Sequence, residues 1–230
     1  MNAAKTDSDY GGSLRDPAAL NEGEIRRSRK TRLRILNAGM ISLAENGHKK
    51  LSTTMVAKRA GITRSAMLYH FGSRKDLLHA IIRHVTRRRL AMYQDAMEKL
   101  PHDENFLNAA IDIAWEQLQT PEFAAFAELA QASRTDKELA ELFNPAMAAY
   151  DQERRKCALK LFPQKETVGL GFDLRRDIVR FLLEGIAQQD GITFNERERK
   201  DSLVVFLKTL ISTSAGVRLL EKSVENSKKT

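Results

Sequence analysis

Between Thr63 and Phe71 the chain places Arg64, Ser65, Tyr69 and His70 within two turns of a short helical pattern. If Ile62, Met67 and Phe71 point inward at roughly four-residue spacing, those four residues are left outside. A guanidinium, a hydroxyl, a phenol and an imidazole on one exposed face can donate hydrogen bonds to phosphates and to base edges. Thr63, Arg64, Ser65 and Tyr69 are therefore candidates for base contacts, and Ser52, Thr53, His70, Arg74 and Lys75 for phosphate contacts.

The elements that must hold this face are readable from the stretch LSTTMVAKRAGITRSAMLYHF, residues 51–71. It contains two short helical patterns separated by Gly61. Ser52 and Thr63 each stand at the start of a helix, where a side-chain oxygen can accept from unpaired first-turn amides. Val56, Ala57 and Ala60 make the inner face of the first helix, and Gly61 ends it where a left-handed backbone angle is cheapest for a residue without a Cβ. This is a helix-turn-helix pattern. Its bland counterpart is a tight helical corner with no nucleic-acid partner, and the flanking residues argue against that.

From Ile35 to Leu78 the chain resembles the DNA-binding domain of the TetR/AcrR (tetracycline-repressor-like) family of bacterial transcription regulators. ILNAGMISLAENG is similar to the family's first helix, LSTTMVAKRAGITRS to its helix-turn entry, and AMLYHFGSRKDLL to its recognition helix running into the fourth helix. The match departs from the pattern at three points. Ser65 and Ala66 stand where Gly-Thr is usual, Leu68 stands where the family has a phosphate-binding Tyr, and Arg74 replaces a Lys. Tyr69, the next residue, is a candidate to take over a phosphate or base contact, although it projects about 100° further round the helix than Leu68. Arg74 keeps the charge and adds a planar donor fork.

Charge supports a polyanion partner. Between Glu24 and Leu90 seventeen Lys and Arg face three acidic residues, a net +14, which leaves −6 for the rest of a 230-residue chain whose total is +8. A basic module joined to a mildly acidic one suits a nucleic-acid binder with a second task, although a solvated basic face gives the same count. The single Cys157 excludes an intrachain disulfide and fits a reducing compartment. No apolar run approaches the roughly twenty residues needed to span a bilayer, and residues 1–23 lack the apolar core of a signal peptide. The expected location is the cytoplasm, with no membrane partner.

The periodicity predicts an all-α fold of about nine helices: a three-helix DNA-binding domain plus a larger helical domain. Residues 1–23 read as a flexible tail, 24–88 as the basic domain with its helix-turn-helix at 51–70, 89–222 as the larger domain and 223–230 as a polar tail. EIRRSRKTRLR reads either as an arm along DNA or as the solvated start of a first helix, 28–46, that stops at Gly47. Ser73 and Asp76 form a variant capping box for a helix uninterrupted to Leu100, with Arg83, Arg87, Arg88 and Arg89 on its outside. A helix at 105–119 follows, then Thr120-Pro121-Glu122 as cap, first-turn Pro and acidic residue of the next. Asn144-Pro145 is expected to kink or split a helix at 136–161. Residues 165–172 read as a loop, 173–189 as a helix with Leu182 on its inner stripe, and a last helix opens near Asn195 and Glu198 with Phe206 facing in.

The last two helices are apolar on more than one face, with Val179, Phe181, Val204, Val205 and Val217 beside their stripes. Such helices need cover on two sides, from their own chain or from a partner. The resemblance implies a homodimer through these two helices, an operator in double-stranded DNA and a small-molecule effector bound among the middle helices. Trp115, Glu116, Phe123 and Phe126 are candidates for that pocket, with ordinary core as the alternative, and Glu128 is a further candidate anchor for a cation. Nothing resembles an enzyme's constellation: there is no phosphate loop, HExxH, Cys pair or nucleophile elbow. No cofactor, metal or catalytic residue is expected. His79 and His84 read as surface residues, and His102 has no evident partner. The sequence thus predicts a homodimeric repressor released by an effector, with a DNA-binding regulator lacking an effector, or a helical enzyme, as alternatives.

Overall fold

The computed structural model describes residues 26–100, 106–161, 170–189 and 197–212, with 218 and 222. The two terminal tails, His102, Asn195 with the side chain of Glu198, Val217 and the 165–169 part of the expected loop lie outside the described residues. The elements are α1 (Arg26–Lys50), α2 (Thr53–Arg59), α3 (Arg64–Phe71), α4 (Arg74–Glu98), α5 (Phe106–Gln117), α6 (Pro121–Ser133), α7 (Lys137–Leu161), α8 (Leu170–Gln188) and α9 (Arg197–Ser212). The fold is all-α.

Most boundaries follow from local chemistry. α1 is interrupted at Gly47, whose φ of 75° and ψ of 168° are not helical. Ser52, Thr63 and Thr120 sit in extended conformation and accept from the amides of Met55, Ala66 and Phe123. At the start of α4 the Ser73 hydroxyl accepts from the Asp76 amide at 3.1 Å and donates to its carboxylate at 2.6 Å. Asp136 caps α7 through the Leu139 amide at 3.0 Å.

Two expectations are revised here: of the kink or split foreseen at Pro145 there is no split, and part of the expected loop is helix. α7 does not split at Pro145 but continues through it as one helix. A ring at an interior position removes one hydrogen bond, and the packing of the flanking turns offsets the loss: Phe143, Ala146 and Tyr150 are all buried. Residues 170–172, expected as loop, already belong to α8, and Phe172 is buried. The glycines on either side of Leu170 suggested irregular backbone, but burial of Phe172 rewards the extra turn.

The described residues pack as two units that alternate along the chain, one drawn from Met1–Met92 and Thr120–Arg154, the other from Tyr93–Gln119 and Arg155–Thr230. The first is therefore larger than the 24–88 segment, since it takes in α6 and α7 as far as Arg154. Its core joins Ile35, Leu36 and Leu43 of α1, Val56 of α2, Met67 of α3 and Leu77, Ile81 and Ile82 of α4, all at 2% exposure or less. Gly39 lets α1 approach α4 closely, since a Cβ there would force the Ile81 side chain to shift. α6 packs along α1.

Two cations of α4 differ from expectation. Arg89, expected outside, is buried, with its guanidinium 3.9 Å from the ring centre of Phe126, 4.9 Å from Tyr150 and 5.3 Å from Phe123. A guanidinium is weakly hydrated and tolerates such a site when ring faces replace water. His84, expected at the surface, is 5% exposed and its Nε2 lies 2.7 Å from Asn37 Oδ1, tying α4 to α1. Neither burial was visible in spacing alone, because both positions lie at the edge of the apolar stripe.

The second unit is built from α5, α8 and α9 around Ile111, Leu183, Val204, Leu207 and Ile211, with Trp115, Leu174 and Ile178 packed against them. Lys208 of α9 reaches Asp112 of α5 at 2.5 Å. Leu182 and Phe206, expected on inner stripes, instead stand exposed beside Phe181 and Val205, with Phe181, Val205 and Phe206 each about 60% open. Leu207 and Ile211 are buried as expected, but Val204 and not Phe206 takes the inner position beside them.

Candidate nucleic-acid interface

The helix-turn-helix is assembled as its sequence demands. Val56 and Ala57 seat α2 on the core, and Gly61 has the positive φ, 63°, that the turn needs. Met67 and Phe71 bury one side of α3 while Ile62 is only half-buried. Arg59 of α2 pairs with Glu45 of α1, adding a surface tie to the apolar contact.

What remains outside is the predicted face. Arg64, Ser65 and Tyr69 are exposed, Tyr69 by 86%. Ser52 and Thr63 are exposed caps, and Thr53 is half-buried at the first position of α2. Arg64 Nε lies 3.4 Å from Thr53 Oγ1, so the openings of α2 and α3 are brought side by side. A phenol standing this far out contributes nothing to the core; it offers a ring and a hydroxyl to a partner.

His70 is the exception, since it is half-buried and not fully outside. Its ring meets Tyr69 edge-on at 5.5 Å, and its main-chain carbonyl accepts from Arg32 Nη1 at 2.5 Å. Position 70 lies only one residue from the buried Phe71, which is why the inward side reaches it. Arg74 and Lys75 are both exposed at the start of α4, and Lys75 Nζ pairs with Glu138 of α7 at 2.9 Å. That hydrogen bond raises the Lys75 pKa above its ordinary value, with the nearby charge of Glu138 adding to it. Arg32, which sequence reasoning left inside an undivided basic run, also sits over the Phe71 ring at 4.5 Å. The available signal was its place three and four residues before the buried Ile35 and Leu36, on their side of α1.

The two histidines near this region are held in their neutral form more strongly than usual. Burial lowers the His48 pKa and the charge of Arg74 adds to it; burial lowers that of His79, with Arg83 adding.

The residues named for an effector pocket fall in different packing units. Trp115 joins the core of the second unit and Glu116 is exposed on α5. Phe123 and Phe126 are buried in the first, where their ring faces are occupied by Arg89. Glu122, beside them, is buried and paired with Arg88 at 2.7 Å. Glu128 is exposed, with its carboxylate against Gly47.

Comparison with known proteins agrees with this geometry. Residues 35–81 match the family described as bacterial regulatory proteins, tetR family. An uncharacterized HTH-type transcriptional regulator of Mycobacterium bovis is 29% identical over 135 residues, covering 59% of this chain and 69% of that protein. The HTH-type transcriptional regulator UidR of Escherichia coli is 29% identical over 86 residues, 37% of this chain and 44% of that protein. Among solved structures, a TetR-family transcriptional regulator from Rhodococcus sp. superposes with a TM-score of 0.61 at 19% identity, over 80% of this chain and 100% of that one. A transcriptional regulator from Saccharomonospora viridis in complex with choline gives 0.60 at 18% identity, over 80% and 97%. With its capped α2 and α3 and its exposed Arg64, Ser65 and Tyr69, the segment 35–81 is a DNA-binding domain of the tetR family of bacterial regulatory proteins.

Proposed function

We propose that the chain acts as a homodimeric repressor that leaves a pseudo-palindromic operator when a small molecule binds. The observation that carries the dimer is the exposed set Phe181, Leu182, Val205 and Phe206 on α8 and α9. Apolar side chains of this size, gathered on two adjoining helices and open to water, favour a partner surface of the same kind. Two copies place their α3 helices in successive major grooves about 34 Å apart. Arg64, Ser65, Tyr69 and Thr63 then meet base edges, while Ser52, Thr53, His70, Arg74 and Lys75 hold phosphates. Residues 24–88 serve as the DNA-binding domain and 89–222 as the effector and dimerisation domain. Among the described residues no helix is long and apolar enough to cross a membrane; regulation in the cytoplasm, without catalysis, is the role this reading assigns.

A second reading is regulation without a small-molecule effector. The closure of Phe123, Phe126 and Tyr150 on Arg89 favours it, because the aromatic faces that would receive a ligand are already occupied. The choline-bound neighbour favours the first reading, since a regulator of similar fold was solved in complex with a small organic cation. A gel-shift on the DNA upstream of the protein's own gene, with and without metabolites extracted from cells, separates them. Release by a metabolite supports the first reading, and a complex that no metabolite releases supports the second. Absence of any shift at low salt would remove both.

A further inference from the structure

One cation of the arginine-rich opening of α1 turns inward. Arg29, Lys30 and Arg34 are exposed, whereas Arg32 is half-buried. Its Nη1 donates to the His70 carbonyl at 2.5 Å and its guanidinium lies 4.5 Å from the centre of the Phe71 ring. His70 and Phe71 are the last two residues of α3. Terminal carbonyls of a helix lack partners within it and carry the negative end of its dipole, so a cation placed there is favoured. The ring face below adds a second attraction. Phe71 is 5% exposed and anchored in the core, so the guanidinium is held between a fixed ring and the helix end.

α3 has only eight residues, too few to be stable by its own propensity. Its direction is set by what grips its ends. Thr63 caps the first turn, Met67 and Phe71 fix its roll, and Arg32 ties its last turn to α1.

We propose that Arg32 is a positioning residue for DNA recognition: it sets the angle of α3, and so the placement of Arg64, Ser65 and Tyr69 on base edges, without touching DNA itself. This rests on the DNA-binding reading of α3. The role differs from that of its exposed neighbours in α1, which are open to phosphates.

The test compares wild type, Arg32→Ala, Arg32→Lys and Arg32→Met on two duplexes across a salt series. One is selected by the wild-type chain from a randomised pool of about 30 base pairs, long enough for two half-sites; the other is its scrambled counterpart. Arg32→Ala should weaken binding to the selected duplex by about tenfold and to the scrambled one by less than about twofold, with an unchanged salt slope. Arg32→Lys, whose ammonium can still reach the carbonyl, should recover most of the selectivity. If Arg32→Ala does not fold, as read by its melting transition, Arg32→Met carries the same comparison, since its chain still covers Phe71. Equal loss on both duplexes with a slope shallower by about one would make Arg32 a phosphate contact and overturn the proposal. An unchanged selectivity ratio overturns it as well, since a merely structural defect removes active protein from both reactions alike. A wild-type chain that binds neither duplex overturns the DNA-binding reading along with it, whereas wild-type selectivity untouched by all three substitutions overturns the role of Arg32 alone.

Discussion

α3 and the pair α8–α9 both leave side chains uncovered, but of contrasting chemistry. On α3 the open residues are Arg64, Ser65 and Tyr69, each with a donor at its tip. On α8 and α9 the large apolar side chains left open are Phe181, Leu182, Val205 and Phe206, none of which carries a donor. Water solvates the first set well, so its exposure costs little and specificity must come from matched acceptors. The second set is poorly solvated, so its burial can drive association without directional contacts. On the proposed reading, one surface meets a polyanion and the other a copy of itself.

Four experiments break or sharpen that contrast. The largest effect should follow Phe181→Asp combined with Phe206→Asp, which puts charge into the apolar set. Sedimentation should show a monomer, and operator affinity should fall by about a hundredfold or more as two linked half-sites become independent. An unchanged mass would mean that this face is not where copies meet. Next in size, Tyr69→Ala should cost roughly 1–3 kcal/mol on the preferred duplex and alter base preference, as read from a competition assay. Loss without altered preference would demote Tyr69 to a backbone contact.

Arg74→Ala should weaken binding to every sequence and flatten the salt slope by about one. Lys75→Ala should do less, because Glu138 competes with phosphate for its ammonium. If Arg74→Ala changed which duplex is preferred, the division between base and phosphate contacts would be misplaced. The smallest effect concerns pH. The folded state lowers the pKa of His48 and His79, so the unfolded chain binds protons first as pH falls. Stability should be full above the ordinary histidine value of about 6.5 and decline as pH drops from there through the lower folded values. Melting curves of His48→Gln and His79→Gln should show a shallower decline than wild type over that window.

The caps and the turn of this molecule were legible because they depend on single residue types at fixed places. Ser52, Thr63, Ser73 and Thr120 cap, and Gly61 turns, as their neighbours in sequence require. The exposure of Arg64, Ser65 and Tyr69 was legible for the same reason, since two apolar anchors in an eight-residue helix leave few choices for the rest. Long-range partners were not. A charged residue at the margin of a stripe can face water or find a ring, and the choice depends on another helix. Arg89 found Phe126 and Tyr150, Arg32 found Phe71, and His84 found Asn37. The exposure of Phe206 on α9 is likewise decided by Ile111 and Leu183, which lie far off in sequence.

The break in α1 carries a consequence for descent. Position 47 has a φ of 75°, and a Cβ built there would lie 2.9 Å from the Glu128 carboxylate. A side chain at that site meets a backbone penalty, whereas the carboxylate ends a flexible, exposed side chain that can swing aside, so the glycine is held chiefly by its φ. Relatives should therefore keep at 47 a glycine, or a residue such as Asn that tolerates a positive φ, whatever stands at 128.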